Sequence, residues 1–446
     1  MTEDAQDTRL PHVVVVGGGF AGMAAVKALA DAPVRITLID RRVYNTFQPL
    51  LYQIATGGLN PGDVTYFLRA LHLRQRNVRV LHEHVAQINT DTRCVGLLDD
   101  TQIQYDYLVL ANGVTTSFFG TPGAKEHSFP MYSRSQALRI RDTLFVRLEH
   151  AVRETVVNDG LRIVVVGGGA TGVEVAGALA ELRDAGLRPA YPEIRGEAFD
   201  VTLIQRGDEL LKNFHPALRT YTAKELEKRG VALRLGAGVA EVRPDGVVLT
   251  DGTFVPSHLT VWSTGVKPHE EVDRWNLPRG QGGRVQVGKD LRVEGFDDVF
   301  AAGDIAISPA ELPQLAQPAL QSGKLVARNI RALLEGRPTR PLHYLDKGTM
   351  AIIGRRSAIA EIFGRFRLTG GIAWLAWLFV HIMGLIGPRN RLNTFTGLVT
   401  RYGFPFHRRP IPIVGDVPAI RPPKDTGKQD DAGAAGDDPG GSKSRA

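Results

Sequence analysis

The sequence predicts an α/β protein with two Rossmann-like dinucleotide-binding domains, the second inserted in the first, and a C-terminal membrane-anchoring region. Glycine-rich motifs at residues 17–22 and 167–172 each follow a run of β-branched residues that is typical of a buried parallel strand. Alanine-rich segments at residues 23–30 and 173–182 favour a helix after each motif. An apolar stretch at residues 372–386 indicates the third region.

The glycines of each motif have separate physical roles. The first permits a tight turn after the strand, the second lets a pyrophosphate approach the backbone, and the third lets the helix pack closely on the strand. The start of the helix then offers free N–H groups to the phosphates. These glycines are Gly17, Gly19 and Gly22 in the first motif and Gly167, Gly169 and Gly172 in the second. Two such motifs predict two dinucleotide sites, so that one cofactor can reduce the other.

Strand ends in the first unit carry polar residues and glycine. A predicted strand at residues 36–39 ends at Asp40, at the spacing expected for the acid that binds an adenosine ribose. The predicted strand at residues 107–110 ends in a glycine turn, where ligands collect in open α/β sheets. The loop Phe47–Tyr52 is too apolar for a solvent turn, so we expect it to pack on a planar ring. Other strands are predicted at residues 78–82 and 95–98.

The second unit repeats the first. The strand at residues 201–204 mirrors residues 36–39, after an insertion that is rich in Pro, Gly and charge. A run at residues 261–265 then repeats the turn that follows residue 110. At residues 298–304 an apolar strand ends in Gly-Asp, which predicts a return to the first unit. The chain therefore contains an internal duplication.

Composition excludes several classes of protein. The chain has 446 residues and one cysteine, Cys94, which excludes structural disulfides, Cys-rich metal sites and paired redox cysteines. We expect Cys94 to be an inert core thiol, and we expect no metal site. The net charge is +7, with arginines concentrated after residue 364. Basic and aromatic residues do not alternate across the fold, so an anionic membrane suits this cluster better than nucleic acid.

The apolar stretch Ile372–Ile386 is short for a membrane span. As a helix its fifteen residues extend about 22 Å, whereas a bilayer core is about 30 Å thick. Basic residues flank both ends, and Trp374 and Trp377 lie near its start. The pattern favours a monotopic helix in the interface, and a core or dimer helix is the alternative. The N-terminus shows no apolar signal segment, so we expect the body of the protein in the cytosol.

These motifs resemble the type II NADH:quinone oxidoreductases, which are single-subunit, non-proton-pumping flavoproteins with two dinucleotide-binding domains. The resemblance spans about residues 11–391. It rests on residues 17–22 with Asp40, Phe47–Tyr52, residues 167–172 with Glu174, residues 262–265, residues 302–304 and the run Ala316-Gln317-Pro318-Ala319-Leu320-Gln321. The last run is similar to the Gln-containing quinone-site stretch of that family.

The resemblance implies that the first unit binds FAD and the second binds NADH. It divides the chain into residues 11–150 and 286–345 for FAD, 151–285 for NAD(P)H, 346–415 for the quinone site and membrane anchor, and 421–446 as a disordered tail. The implied FAD residues are Gly17, Gly19, Phe20, Ala21, Gly22, Asp40, Arg41, Gln48, Ala111, Gly113, Gly303, Asp304 and Gln317. The implied nicotinamide residues are Gly167, Gly169, Thr171, Gly172, Glu174, Gln205, Arg206, Thr264 and Gly265.

Four residues are candidates for the chemistry. Glu174, just past the second turn, is expected to order the nicotinamide or relay protons, or else to be a first-turn acid that suits the helix dipole. Gln317 and Gln321 lie four residues apart on one helix face and are expected to position the quinone or the flavin edge, or else to be polar helix residues. Lys347 is expected to donate charge or a proton at the quinone end, or else to be a surface lysine.

The second unit departs from the first at the ribose position. Alignment of the two copies places Gln205 opposite Asp40, and Arg206 follows it as Arg41 follows Asp40. Many NADH-specific relatives carry an acid there, which repels a 2′-phosphate. Its removal is worth roughly 1–4 kcal/mol at about 4 Å. We therefore expect NADPH to be accepted alongside NADH, although the arginine by itself carries little weight.

The sequence leaves three functions open. The first is a membrane-bound NAD(P)H:quinone oxidoreductase that acts on ubiquinone or menaquinone and lies peripherally on the cytoplasmic face of the cell membrane. The second is a soluble flavoprotein reductase for ferredoxin or oxygen, which does not account for the apolar C-terminal stretch. The third is a flavin-bound, nucleotide-sensing partner protein. A homodimer is compatible with each of them.

Overall fold

The computed structural model describes residues 10–153, 160–187, 190–192 and 199–403. The predicted disordered tail, residues 404–415 of the predicted anchor region and residues 188–189 and 193–198 of the predicted insertion lie outside the described residues. The strands are β1 His12–Val16, β2 Arg35–Asp40, β3 Tyr44–Thr46, β4 Thr65–Phe67, β5 Val78–His82, β6 Val85–Asn89, β7 Cys94–Leu97, β8 Gln102–Gln104, β9 Tyr107–Leu110, β10 Thr115–Thr116, β11 Phe129–Pro130, β12 Leu161–Val166, β13 Phe199–Ile204, β14 Val231–Arg234, β15 Val239–Arg243, β16 Gly246–Leu249, β17 Phe254–Pro256, β18 Leu259–Trp262, β19 Val266–Lys267, β20 Val285–Gln286, β21 Val299–Ala301, β22 Ala306–Ile307, β23 Thr349–Gly354, β24 Ser357–Ile362 and β25 Phe366–Thr369. The α-helices are α1 Phe20–Ala28, α2 Leu51–Ala55, α3 Ala124–His127, α4 Arg134–Arg153, α5 Ala170–Glu181, α6 Pro216–Lys228, α7 Ala316–Leu334, α8 Gly370–Gly384 and α9 Pro388–Gly403.

The first unit is built on a five-stranded sheet with the order β21-β9-β1-β2-β5. All of its neighbouring strands are parallel. Its central strands are continuous runs of apolar residues because helices and loops cover both faces of the sheet. Strand β21 follows the second unit in sequence, yet it pairs with β9 of the first unit. The predicted return to the first unit at residues 298–304 is therefore confirmed.

The second unit has a five-stranded sheet of the same kind, with the order β11-β18-β12-β13-β14. Its strands are also parallel throughout. The order β18-β12-β13-β14 repeats β9-β1-β2-β5, so the internal duplication extends to topology. The edge strand β11 lies at Phe129–Pro130, so the chain crosses to the second sheet before the predicted boundary at residue 150.

The C-terminal region adds an antiparallel sheet of strands β23, β24 and β25, followed by helices α8 and α9. A Cβ on Gly177 of α5 would lie 1.9 Å from Ile353 O, so this glycine lets β23 approach α5 closely. Ala373 and Trp377 of α8 are fully buried and belong to the same core as α5 and the second sheet. Helix α8 is therefore anchored on the second unit by one face. Among the helices of the described residues, none is both long enough and apolar enough to cross a bilayer.

Two local predictions differ from the structure. Helices α1 and α5 begin at Phe20 and Ala170, three residues earlier than the alanine-rich segments suggested, because the extended backbone of Gly19 and Gly169 caps each helix directly. Cys94 is partly exposed at the start of β7, where its sulfur contacts Gln102 Oε1 at 3.2 Å, and is not a core thiol.

Candidate active site

The first glycine turn is a tight crossing of backbone. Gly17 has a φ of +101° and its N–H donates to Ile39 O at 2.8 Å, which joins the end of β1 to β2. A Cβ on Gly22 would lie 1.8 Å from Gly17 O, so only glycine permits this approach of α1. Beside Gly19, in contrast, an added Cβ would meet only Ala111 O, at 3.9 Å. The turn therefore leaves open space where a pyrophosphate would approach the start of α1, which fits FAD.

The second turn repeats this geometry. Gly167 has a φ of +112° and donates to Ile204 O at 2.8 Å. A Cβ on Gly172 would again lie 1.8 Å from a carbonyl, Gly167 O, whereas a Cβ on Gly169 would have no neighbour within 4 Å. The start of α5 therefore offers a second open cradle, which fits the pyrophosphate of NADH.

Asp40 and Gln205 occupy equivalent positions in the two units. Asp40 accepts from Gly18 N–H at 2.6 Å and from the Arg42 N–H at 2.7 Å. Gln205 Oε1 accepts from Gly168 N–H at 2.9 Å. Burial raises the pKa of Asp40, and the two N–H donors oppose that rise. The alignment of these two residues is thus reproduced in space, and the second cradle has a neutral group where the first has an acid.

A cleft beside the first turn is lined by residues from five segments of the chain. Asp40 and Arg41 lie on one side, and both polar side-chain atoms of Asn112 are buried without a partner among the described residues. Arg41 donates to His269 Nε2 at 2.9 Å, and this contact joins Arg41 to the side of the cleft that His269 lines. Burial and the charge of Arg41 lower the pKa of His269 to about 4, so His269 accepts as a neutral ring. An amide such as Asn112 suits the polar groups of an adenosine or a pyrophosphate.

Asp304 lies at the other end of this cradle, after β21. Its backbone follows Gly303, whose φ is +76°. Tyr132 O–H donates to Asp304 Oδ2 at 3.5 Å, and Gln48 Nε2 donates to Tyr132 O at 3.4 Å. Burial raises the pKa of Asp304 to about 6. These contacts place Gln48 and Asp304, both predicted from the sequence, around the same tyrosine.

The turns that follow β9 and β18 complete the two cradles. Ala111 N–H donates to Val16 O at 2.8 Å, and Ser263 N–H donates to Val166 O at 2.9 Å in the equivalent position. Left-handed glycines follow both turns, Gly113 at +66° and Gly265 at +75°. The remaining predicted residues of the two cradles lie at helix starts or beside these turns: Phe20, Ala21, Thr171 and Thr264. Arg206 is exposed and follows the end of β13.

Glu174 lies deep in the protein, near Tyr52 of α2 and Trp377 of α8, although part of its surface is accessible. Its Oε1 is 3.5 Å from the Ile352 N–H of β23. Burial raises the pKa of Glu174 to about 8, and the Ile352 N–H opposes the shift. The carboxyl therefore carries a proton at neutral pH and can release it.

The two glutamines of α7 have different environments. Gln321 pairs with the backbone of Leu345 in both directions, donating to its carbonyl at 2.9 Å and accepting from its N–H at 3.0 Å. Gln317, one turn earlier, is half-buried and its amide has no partner among the described side chains and backbone. Lys347 is exposed, and no hydrogen bond or ion pair in the described part of the chain joins it to Glu174 or Gln317. Gln321 thus holds the segment that leads to Lys347.

The inner face of α8 contributes aromatic groups that the sequence did not single out as site residues. Trp377 lies edge-on to Tyr52, with ring centroids 6.0 Å apart. Phe47 packs edge-on against both His381 and Phe20, at 6.2 Å and 5.8 Å. Within the protein, the loop Phe47–Tyr52 packs against Phe20 and against Trp377 and His381 of α8, and its packing on a planar ring stays a prediction. The residue pattern of α8 indicated only that the helix is apolar. It did not predict that one face of the helix contacts the site.

Three comparisons with known proteins agree. The family model for pyridine nucleotide-disulphide oxidoreductases matches residues 11–323. The chain is 38% identical over 423 residues to the type II NADH:quinone oxidoreductase Ndh of Mycobacterium tuberculosis, covering 90% of each chain. It is 30% identical to the internal alternative NAD(P)H-ubiquinone oxidoreductase A1 of Arabidopsis thaliana mitochondria, covering 88% of this chain and 84% of the plant protein. NDH2 from Plasmodium falciparum in complex with NADH superposes with a TM-score of 0.83 at 18% identity, over 91% of this chain and 100% of that one.

Proposed function

Because the chain belongs to the pyridine nucleotide-disulphide oxidoreductases, and among them to the type II NADH:quinone oxidoreductases, we propose that it passes electrons from NADH through FAD to a membrane quinone without pumping protons. The observation that carries this proposal is the pair of equivalent glycine cradles, with the buried Glu174 in the helix that starts at the second one. Bound FAD would supply the redox chemistry, taking a hydride from NADH and giving two electrons to the quinone.

The protein's own part is to hold the cofactors and to manage a proton. The overall reaction, NADH + H⁺ + quinone → NAD⁺ + hydroquinone, consumes one proton. Glu174 is protonated at neutral pH and lies in the helix that starts at the second cradle, near Tyr52 of the first unit, so we assign it the role of delivering this proton. Asp40 binds the ribose of FAD, and Asp304 with Tyr132 binds its ribityl hydroxyls. Gln205 takes the ribose of the nicotinamide cofactor.

We assign the two glutamines of α7 different tasks. Gln317, whose amide is uncommitted, contacts the quinone or the flavin edge. Gln321 acts indirectly, because both of its amide groups hold the backbone of Leu345. We assign Lys347 as a source of charge at the quinone end. Its side chain is exposed, so it would act at the protein surface.

The test of this function is an anaerobic titration of the purified protein. NADH should bleach the yellow flavin absorbance, and a short-chain quinone should restore it with formation of one hydroquinone per NADH. A soluble reductase would instead pass electrons to ferredoxin or oxygen and leave the quinone unreduced. A nucleotide-sensing protein would bleach and recover without turnover.

The outer face of α8 and the neighbouring face of α9 support attachment to a lipid surface. On α8, Leu375, Phe379 and Met383 are 62%, 68% and 49% exposed, while Trp377 on the opposite face is fully buried. On α9, Leu392 and Phe395 are more than half exposed. A contiguous apolar surface beside arginines suits a bilayer with anionic lipids, and we place it on the cytoplasmic face, where NADH is available. A homodimer would cover part of the same surface.

Replacing Leu375, Phe379 and Met383 together with Gln should release the protein from membranes. Each inserted apolar side chain contributes about 1.5–3 kcal/mol, so the variant should bind anionic vesicles at least a hundredfold more weakly in a sedimentation assay. NADH oxidation with a water-soluble quinone should stay unchanged, because the buried face of α8 is intact. Undiminished sedimentation would contradict the lipid surface, and a change of molecular mass at constant vesicle binding would indicate a dimer interface instead.

The change Gln205→Glu should favour NADH over NADPH. A carboxylate at this position would repel the 2′-phosphate of NADPH by roughly 1–4 kcal/mol, while it could still accept from the Gly168 N–H. We expect the ratio of kcat/KM for NADH to that for NADPH to rise by about tenfold or more. The matched control is Gln104→Glu, at an exposed glutamine of β8 in the first unit. An unchanged ratio would show that Gln205 does not contact the ribose.

A further inference from the structure

His381 on α8 has a fixed tautomer. Its Nδ1 lies 2.7 Å from Trp377 O, one turn earlier in the helix. A carbonyl oxygen only accepts hydrogen bonds, so Nδ1 must carry the proton. The imidazole also stacks on the indole of Trp377, with centroids 3.9 Å apart and planes 18° from parallel, which holds the orientation of the ring.

The other ring nitrogen is therefore an acceptor. Nε2 of His381 has no hydrogen-bond partner in the described part of the chain. Burial lowers the pKa of His381 to about 4, with the Trp377 carbonyl opposing the shift, so the ring is uncharged at neutral pH. The side chain thus presents a lone pair, without a donor, in a largely apolar setting.

The position of His381 connects both cradles. Phe47, whose ring packs against His381, also packs against Phe20, the residue that follows Gly19 in the first turn. On the other side, the indole of Trp377 approaches the carboxyl of Glu174. The inner face of α8 therefore contacts Glu174 near the start of α5 and, through Phe47, Phe20 at the start of α1, so it lies close to both helices that begin at the glycine turns.

Helix α8 also separates this region from the apolar surface. Its outward side chains Ile372 and Phe379 are 70% and 68% exposed, while Trp377 is fully buried. Because Trp377 on the inner face of α8 approaches Glu174, a quinone that comes to Glu174 from a lipid surface at α8 would meet this face of the helix. His381 is the acceptor on that face.

We propose that Nε2 of His381 accepts a hydrogen bond from a hydroxyl group of the hydroquinone product. The inference rests on the proposed function, because it identifies a residue of the same quinone site. A quinone offers two carbonyl oxygens, which cannot donate to a lone pair, whereas its two-electron, two-proton reduction product offers two O–H donors. An acceptor without a donor therefore binds the product selectively and leaves the affinity for the substrate almost unaffected.

The first test uses the unaltered protein. A short-chain hydroquinone has two O–H donors, whereas its dimethyl ether has no hydrogen-bond donor in their place. We expect the hydroquinone to inhibit NADH oxidation about fivefold more tightly than the ether, the factor for one net hydrogen bond of about 1 kcal/mol. Equal inhibition by the two compounds would overturn the proposal.

The second test compares variants of His381. In His381→Leu the inhibition constant of the hydroquinone should rise about fivefold while the KM for the quinone stays within twofold. His381→Gln keeps a side-chain carbonyl and should retain most of the product affinity. His72→Leu, at an exposed histidine of the first unit, is the matched control and should change neither constant.

Parallel increases of KM and of the inhibition constant in His381→Leu, or equal loss in the Gln variant, would mean that the ring acts through packing, and the proposal would fall. If His381→Leu does not retain FAD, the comparison of hydroquinone with its ether decides alone. Failure of the proposed function is distinguishable, because the unaltered protein would then not reduce the quinone with NADH at all.

Discussion

Glu174→Gln should lower the rate of quinone reduction by about a hundredfold to a thousandfold while NADH still bleaches the flavin at a near-normal rate. The change removes the proton and keeps the shape of a side chain that lies deep beside Ile352 and Trp377. General acid catalysis contributes about 10²–10⁴ to a rate, and hydride transfer from NADH needs no proton. Stopped-flow absorbance of the two half-reactions separates these effects.

The same residue predicts the pH dependence. The pKa of Glu174 is raised to about 8, so the carboxyl is protonated below that pH and ionised above it. As the proton donor, Glu174 is active in its protonated form, so quinone reduction should fall about tenfold per pH unit above pH 8. In Glu174→Gln this alkaline limb should disappear. Glu126→Gln, at an exposed glutamate of α3, should keep it. A limb that survives in the Glu174 variant would assign the proton to another group.

Gly22→Ala and Gly172→Ala should remove different cofactors, although both create the same collision. In each case the new Cβ would lie 1.8 Å from a backbone carbonyl, so the helix start must move away from the turn. Overpacking of this kind costs about 1–3 kcal/mol and displaces the N–H groups that face the phosphates. We expect Gly22→Ala to lose FAD affinity by about tenfold to a hundredfold, measured by flavin release on dilution.

Gly172→Ala should stay yellow and lose affinity for NADH by a similar factor, measured by the concentration of NADH that bleaches the flavin. Gly371→Ala is the control, because an added Cβ there has no neighbour within 4 Å. Loss of flavin from the Gly172 variant at normal folding would reverse the assignment of the two cradles. The Gly22 and Gly172 variants together therefore test which unit binds FAD and which unit binds NADH.

Local patterns in the sequence were enough to predict the two cradles. The strand, turn and helix at Gly17 and at Gly167 each lie within about thirty residues. Gly17 and Gly167 are favoured by their positive φ, and Gly22 and Gly172 are required by the close approach of the Gly17 and Gly167 carbonyls in the same segment. The alignment of Asp40 with Gln205 followed from the same repeat. In the structure, Asp40 accepts from the Gly18 N–H and Gln205 accepts from the Gly168 N–H. Short-range sterics and hydrogen bonds make such features readable from sequence.

Other parts of the site depend on contacts between distant segments. Tyr132 meets Asp304 across 172 positions of the chain, and Arg41 meets His269 across 228. The commitment of Gln321 to Leu345 also appears only in three dimensions. No local pattern marks Tyr132 or His269, because tyrosine and histidine occur equally in loops without function, and the run that contains Gln321 gave no sign of its partner.

The sequence by itself determined that this protein has two dinucleotide cradles, which one carries the acid, and that an apolar helix follows. The tertiary structure decided which side of that helix faces inward, and so brought Trp377 and His381 to the space beside Glu174. The reason is that an almost uniformly apolar helix carries no directional signal in its periodicity. Its orientation is set by the surfaces of α5 and the C-terminal sheet on which it packs.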